Sequence, residues 1–500
     1  MLVKLLLGFA IGLFLTYPAA ILTTVIEGQS ATAIYSYHLP TSLFSYLAIA
    51  LPVFLFLHLR GHFQLLDLHH KDNKKNLVIM LAILFLYAVM VFWQLGRANI
   101  LGDDYDLAYQ AYNLQDGIQA ARKAYVMSFN THPPLFMTIK HYWFQIMFPN
   151  GLETVPSWGY RGLEGILGMA TLLAVYAITR NLWAPAILAV NNYLIFLGRV
   201  YLREMYLTFF LTLSLYFFQK KSYFITAFLI GCGLLVKTSA IVVVPVYLLL
   251  LLSKKEYRNI LKMAITILVI YLPVISYNIL AFYTTGHMDA TFSKIFGLPH
   301  PFLTDSSTPL LNIASAISYL KDIYSLPVLI IFVVAAIINF RSIYFLLLIS
   351  SFLYFIFGGP LREYYLLFMT IPFVIFTGNF FSRHSVRTQN LLPSIFILFS
   401  FWYSVSGLSN IRKLYEPVRG WPKLMEEVKA VYQPGDCLEK GGGVNDLAIR
   451  AYFQTDDAPK KILLGNNYPH YYKMCDEQIS PARKINIFYN QSGLVNYKII

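Results

Sequence analysis

Leu77 to Leu95 is a run of nineteen residues without a charged side chain. A helix of that length extends about 28 Å, close to the hydrocarbon thickness of a bilayer. In hydrocarbon every backbone N–H and C=O needs a partner within its own segment, so such a run crosses as a helix. Similar runs recur along the 500 residues, and only 13% of side chains are charged, against about 25% in a soluble domain. These features predict an all-α polytopic membrane protein with about 13 spans. They fall near 3–27, 41–59, 76–95, 160–179, 183–198, 202–218, 222–236, 238–252, 259–282, 324–340, 342–357, 363–381 and 389–408. Several are short, and 222–236 with 238–252 suits a broken helix or a hairpin. The first segment, Leu2 to Ile26, is longer than a signal-peptide core and is read as an uncleaved span.

The net charge of +14 does not point to nucleic acid. Its basic residues are scattered in short clusters between apolar runs: Lys71, Lys74 and Lys75; Lys220 and Lys221; Lys254, Lys255 and Arg258; Arg383 and Arg387. Basic loops stay in the cytoplasm. With residues 60–75, 180, 219–221, 253–258, 341 and 382–388 inside, the spans alternate consistently. The N-terminus is then cytoplasmic and the C-terminal tail extracytoplasmic. Residues 96–159, 199–204, 237, 283–322 and 358–362 share the outer face.

Two domains follow: a transmembrane body, 1–409, with a large outer loop at 96–159, and a small extracytoplasmic α/β domain, 410–500. In the loop, Tyr105 to Ala121 has helical periodicity through Leu107, Ala111, Leu114 and Ile118. Leu135 to Phe148 follows two prolines, is aromatic and amphipathic, and suits an interfacial helix. In the tail, Pro417 to Tyr432 and Val444 to Phe453 read as helices, Lys461 to Leu464 and Lys484 to Tyr489 as strands. Cys232 reads as a packing residue in an apolar helix. Cys437 and Cys475 are either a disulfide, if the tail meets an oxidising compartment, or two separate thiols.

Chemistry concentrates on the outer side. Asp103, Asp104 and Asp106 flank Tyr105 just beyond a span. One acid is enough to cap a helix; three in four residues suit a general base plus a ligand for metal or hydroxyls. Arg199, Arg203 and Glu204 open another span, as an ion-paired start or as a second acidic group with cations for an anionic donor. Lys237 interrupts an apolar stretch, either snorkelling or binding an anion. Arg362, with Tyr365 three residues on, suits a lipid phosphate or a phospholipid headgroup. His132, His287 and His300 are candidate ligands, with Asp104, for a divalent Mg, Mn or Zn ion. Walker, dinucleotide-binding, GxSxG and HExxH motifs are missing from the sequence, which directs attention to a lipid-linked substrate.

These residues, in order, resemble the GT-C glycosyltransferases of the aminoarabinose-transferase and protein O-mannosyltransferase-like group. The matching pieces are Asp103-Asp104, His132-Pro133-Pro134-Leu135, Arg161-Gly-Leu-Glu164 and Arg199 to Leu207. Gly233 to Thr238 and Arg362-Glu-Tyr-Tyr365 complete the set. The resemblance covers about residues 76–380. It implies a polyprenyl-phosphate sugar donor and a glycan, lipid or protein acceptor. It places Asp103 at the acceptor-activating carboxylate, Asp104 where a glutamate is usual, and Glu204 at the second acidic position. Lys237 and Arg362 then fall near the donor phosphate. Thr131-His132 departs from the Glu-Lys of aminoarabinose transferases, and two spans, rather than one, precede the span leading to the acids. The function expected is inverting transfer of a hexose or pentose in the cell envelope. The alternative is a transporter or flippase for a lipid-linked glycan, which would carry symmetry between chain halves and polar groups at midspan.

Overall fold

The computed structural model describes residues 71–93, 95, 111, 135–149, 157–285, 309–340, 342–358, 367–384 and 391–415. In the tail it describes 424, 427–428, 430–433, 436–440, 475, 483–489 and 495–499. The spans expected at 3–27 and 41–59, the helix at 444–453 and the strand at 461–464 lie outside these residues, as does all of the helix at 105–121 except Ala111.

Fourteen α-helices are described. They are α1 (Lys71–Phe92), α2 (Leu135–Met147), α3 (Ser157–Thr179), α4 (Trp183–Ala189), α5 (Asn192–Leu197), α6 (Glu204–Gln219) and α7 (Tyr223–Val236). After a 3-10 turn, Thr238–Val243, come α8 (Val244–Ser253), α9 (Tyr257–Thr285), α10 (Pro309–Tyr324), α11 (Leu326–Ile338), α12 (Ile343–Gly358), α13 (Leu367–His384) and α14 (Leu391–Tyr415). Among the described residues, Lys75–Phe92 and Trp158–Thr179 are long and apolar enough to cross a membrane on their own. Exposed Val78, Leu81 and Phe85 of α1, and Leu391, Ile395 and Leu398 of α14, present apolar surface outward. Such a surface suits lipid and would be a liability in water.

The chain divides into two compact units. The first takes in residues up to Trp93, Val126–Thr138 and Arg161–Ser406. Here α6 packs on α7, α7 on α9, and α13 on α4, α11 and α12. Small residues permit close approach, as membrane packing favours. A Cβ on Gly231 would lie 2.8 Å from Ile270, and one on Gly378 would lie 2.7 Å from the backbone nitrogen of Ala184. Polar groups join helices between these contacts. Asn181 donates to Asn379 at 3.0 Å and Ser350 to the Val242 carbonyl at 2.6 Å.

One expectation is corrected. The span at 183–198 is two short helices, of 7 and 6 residues. Asn191 lies between them, and its side chain accepts from the amides of Tyr193 and Leu194, capping a new helix where apolar content suggested one span. Between the expected spans, Pro309–Tyr324 is helical, with proline at its start. Beyond it Ser325 adopts φ 60° and the chain bends by 113° into α11. The break expected near 237 is present: Lys237 is extended, with φ −159° and ψ 133°, between α7 and the 3-10 turn.

The second unit takes in Gln94–Tyr125, Ile139–Tyr160 and Gly407–Ile500. The buried Lys140 ammonium donates to the Tyr160 carbonyl at 2.7 Å, and the Trp143 indole to the Gly159 carbonyl at 2.7 Å. The tail holds a three-stranded sheet of β1 (Cys437–Lys440), β2 (Lys484–Tyr489) and β3 (Val495–Ile499). β1 pairs parallel with β2, and β2 antiparallel with β3. The buried Asp436, just before β1, accepts from both Nε and Nη2 of Arg483, just before β2, at 3.1 and 2.6 Å. The guanidinium holds the Asp436 carboxyl below its usual 3.8, so this stabilisation is complete above that pH and fades as pH falls below it. Cys437 and Cys475 form a disulfide, and the Cys475 amide donates to the Leu438 carbonyl at 2.9 Å.

Candidate active site

At one end of the first unit's helices lies a cluster of buried ionisable side chains. Arg161 and Glu164 stand in the first part of α3; Arg203 and Glu204 launch α6. Burial of four such groups is exceptional in a soluble core, and ionisable groups at membrane depth mark function by default.

Glu204 and Lys237 form a salt bridge, with side chains 5% and 11% exposed. Local structure explains the meeting. Glu204 is the first residue of α6, where a carboxylate suits the helix dipole. Lys237 sits where α7 gives way to a tighter turn, its amide still bonded to the Gly233 carbonyl at 2.8 Å. Gly233 brings the two legs together: a Cβ there would lie 3.1 Å from that of Ala240.

Glu164 is fully buried and interacts with the Tyr206 hydroxyl, beside Tyr201. Phe136, at the start of α2, sets its ring edge-on to Tyr201 and Tyr206, at 5.1 and 5.0 Å between centroids. The Arg203 guanidinium lies 5.4 Å from the centre of the Phe136 ring, a cation–π contact in an aromatic wall. Arg199 faces elsewhere. Its Nη1 donates to the carbonyls of Met90, Val91 and Trp93 at 3.0, 2.8 and 2.8 Å.

Of the residues singled out in the sequence, Arg199, Arg203, Glu204 and Lys237 come to one end of the helices. Asp103, Asp104, Tyr105, Asp106, His132, His287, His300, Arg362 and Tyr365 lie outside the described residues. Among the described residues no group of three or more His, Cys, Asp or Glu side chains gathers to hold a metal. The structure adds Arg161, Glu164, Tyr201 and Tyr206 to the site residues named from sequence. A signal for Glu164 was present: it is a lone carboxylate at the head of an apolar span.

Residues 125–290 match the family model described as dolichyl-phosphate-mannose-protein mannosyltransferase. No curated protein sequence matches. Among solved structures, ArnT from Cupriavidus metallidurans in the apo state superposes with a TM-score of 0.54 at 11% identity, over 84% of this chain and 94% of that one. Its structure bound to undecaprenyl phosphate gives a TM-score of 0.48 at the same identity and coverage. The chain thus has the fold of ArnT, and residues 125–290, which include Arg161, Glu164, Glu204 and Lys237, are similar to that protein mannosyltransferase family model.

Proposed function

We propose that this protein is a membrane glycosyltransferase that moves a hexose or pentose from a polyprenyl-phosphate donor to an acceptor hydroxyl on the extracytoplasmic face, with inversion. The observation that carries the proposal is the Glu204–Lys237 pair, buried beside Arg203 and Glu164 at one end of the helices. The length of the helices supports it. α6 and α7, of 16 and 14 residues, extend about 24 and 21 Å, less than a hydrocarbon layer of about 30 Å. With Lys220 and Lys221 at the cytoplasmic surface, the pair then lies about 6–9 Å beneath the outer boundary of the hydrocarbon layer, just below the lipid headgroups. The mannosyltransferase-type match and the ArnT fold favour the same chemistry.

In this reading Asp103 takes the proton of the acceptor hydroxyl as its oxygen attacks the anomeric carbon. The bond to the phosphate breaks, and the polyprenyl phosphate leaves with the electron pair. It is a good leaving group, so no protein acid is needed, unlike glycoside hydrolysis. Lys237, Arg203 and Arg362 receive its charge, and Glu204 orients Lys237. A divalent ion held by Asp104 with His132, His287 or His300 would add charge stabilisation at the phosphate. Tyr105, Asp106 and Tyr365 are assigned to substrate contacts.

Purified protein in liposomes containing a polyprenyl-phosphate sugar is the test. The Asp103→Asn variant is expected to fold normally and to lose roughly 10²- to 10⁴-fold in transfer rate. Near-normal turnover by that variant overturns the role of Asp103. Movement of the donor across the bilayer without its consumption would make the protein a flippase.

A further inference from the structure

The three carbonyls held by Arg199 belong to the end of α1, where a helix leaves its acceptors without intrahelical partners. These acceptors also carry the negative end of the helix dipole, which favours a cation. On its other side Arg199 belongs to the turn between α5 and α6. The Gly198 amide bonds to the Leu194 carbonyl and the Arg199 amide to Phe196, each at 2.9 Å. The Leu207 amide then bonds to the Arg203 carbonyl at 3.0 Å, which starts α6. The turn lies flat on α1. A Cβ on Gly198 would lie 2.6 Å from the Tyr87 hydroxyl oxygen and 3.2 Å from Val91, and Tyr87 donates to Leu194 at 3.4 Å.

We infer that Arg199 is a positioning residue, clamping the exit of α1 to the turn that launches Arg203 and Glu204. Asp103 follows Trp93 by ten residues, so the clamp fixes the start of the segment that carries the base to the helix that carries the second acid. The inference rests on the glycosyltransferase reading above. Loss of the guanidinium frees the last turn of α1 and leaves the Glu204–Lys237 bridge, made by other atoms, in place. The chemical step then slows while donor binding holds.

The test uses full-length protein in liposomes, with a spin label on Trp93→Cys. Trp93 is 66% exposed and holds Arg199 through its backbone, so the side chain can be exchanged. Cys232 is buried and the other two cysteines are joined, which directs the label to position 93. In the labelled background, Arg199→Met is expected to sharpen the spectrum, and Arg199→Lys to give an intermediate one, because an ammonium lacks the guanidinium fork. In the unlabelled protein, kcat of Arg199→Met should fall roughly 10- to 100-fold, with partial rescue in Arg199→Lys and donor KM held within about 2-fold. An unchanged spectrum in Arg199→Met overturns the inference. A raised donor KM with kcat intact also overturns it, since that would place Arg199 on the donor phosphate. Should Arg199→Met not fold, Arg199→Lys decides alone: intermediate mobility and rate support the clamp, and a native spectrum with kcat abolished overturns it. The spectrum is read without turnover, so failure of the glycosyltransferase reading shows separately, as an inactive native protein.

Discussion

Lys237 was visible in the sequence as a cation inside an apolar stretch; its partner was not. Nothing local links positions 204 and 237, which are 33 residues apart. Their meeting depends on where α7 stops and how it packs on α6. A bridge this buried is costly to break from one side, because the remaining charge keeps its desolvation penalty. Lys237→Met is therefore expected to destabilise the protein by about 3–5 kcal/mol, measured by thermal unfolding in detergent. Glu204→Gln combined with Lys237→Met should recover most of that stability and still leave transfer at background. A stable and active double variant would separate the bridge from catalysis. Arg161 and Glu164 show the opposite limit of legibility. Their motif was readable, but the burial of both and the meeting of Glu164 with Tyr206 required the tertiary structure.

Among elements, long apolar periodicity was the most legible feature and short interruptions the least. The helices at Lys71–Phe92, Ser157–Thr179 and Glu204–Gln219 follow directly from their apolar runs. The division of 183–198 rests on one side chain, Asn191, whose hydrogen bonds outweigh a favourable hydropathy. The strand Val495–Ile499 was missed because its five residues include the polar Asn496 and Lys498, and pairing with Lys484–Tyr489 defines it. Helix ends carry a further signal. Arg180, Lys221 and Lys255 have φ of 54°, 57° and 58°, past the ends of α3, α6 and α8. Glycine usually fills such positions, and another residue costs about 1 kcal/mol. Their positive charge suits helix C-termini and cytoplasmic loops. Glycine is used instead where helices touch. Gly378→Ala would put a methyl 2.6 Å from the Ala184 Cβ and 2.7 Å from its backbone nitrogen. Backbone cannot rotate aside, so a loss of about 1–3 kcal/mol is expected, read as a lower unfolding temperature. An unshifted transition would mean that α4 and α13 can separate freely.

Across the whole molecule, one alternation of spans decides several questions together. The helices α3, α6 and α8 each run from the Arg161–Glu204–Lys237 end to a basic residue at the other. If the basic ends face the cytoplasm, the ionisable cluster faces outward, and so does the tail. The tail carries its own witness in Cys437–Cys475, a bond between residues 38 apart. Such a bond persists in oxidising compartments and is rare in a reducing cytosol. The expected outcome is that the pair resists a membrane-permeant maleimide in denatured extracts of intact cells until a reductant is added, with Cys232→Ser removing the remaining thiol. Free thiols before reduction would place the tail in the cytosol. The same span alternation would then turn Glu204 and Lys237 inward, away from any acceptor outside the cell. One thiol measurement, made far from the proposed chemistry in sequence, thus tests the side of the membrane on which that chemistry occurs.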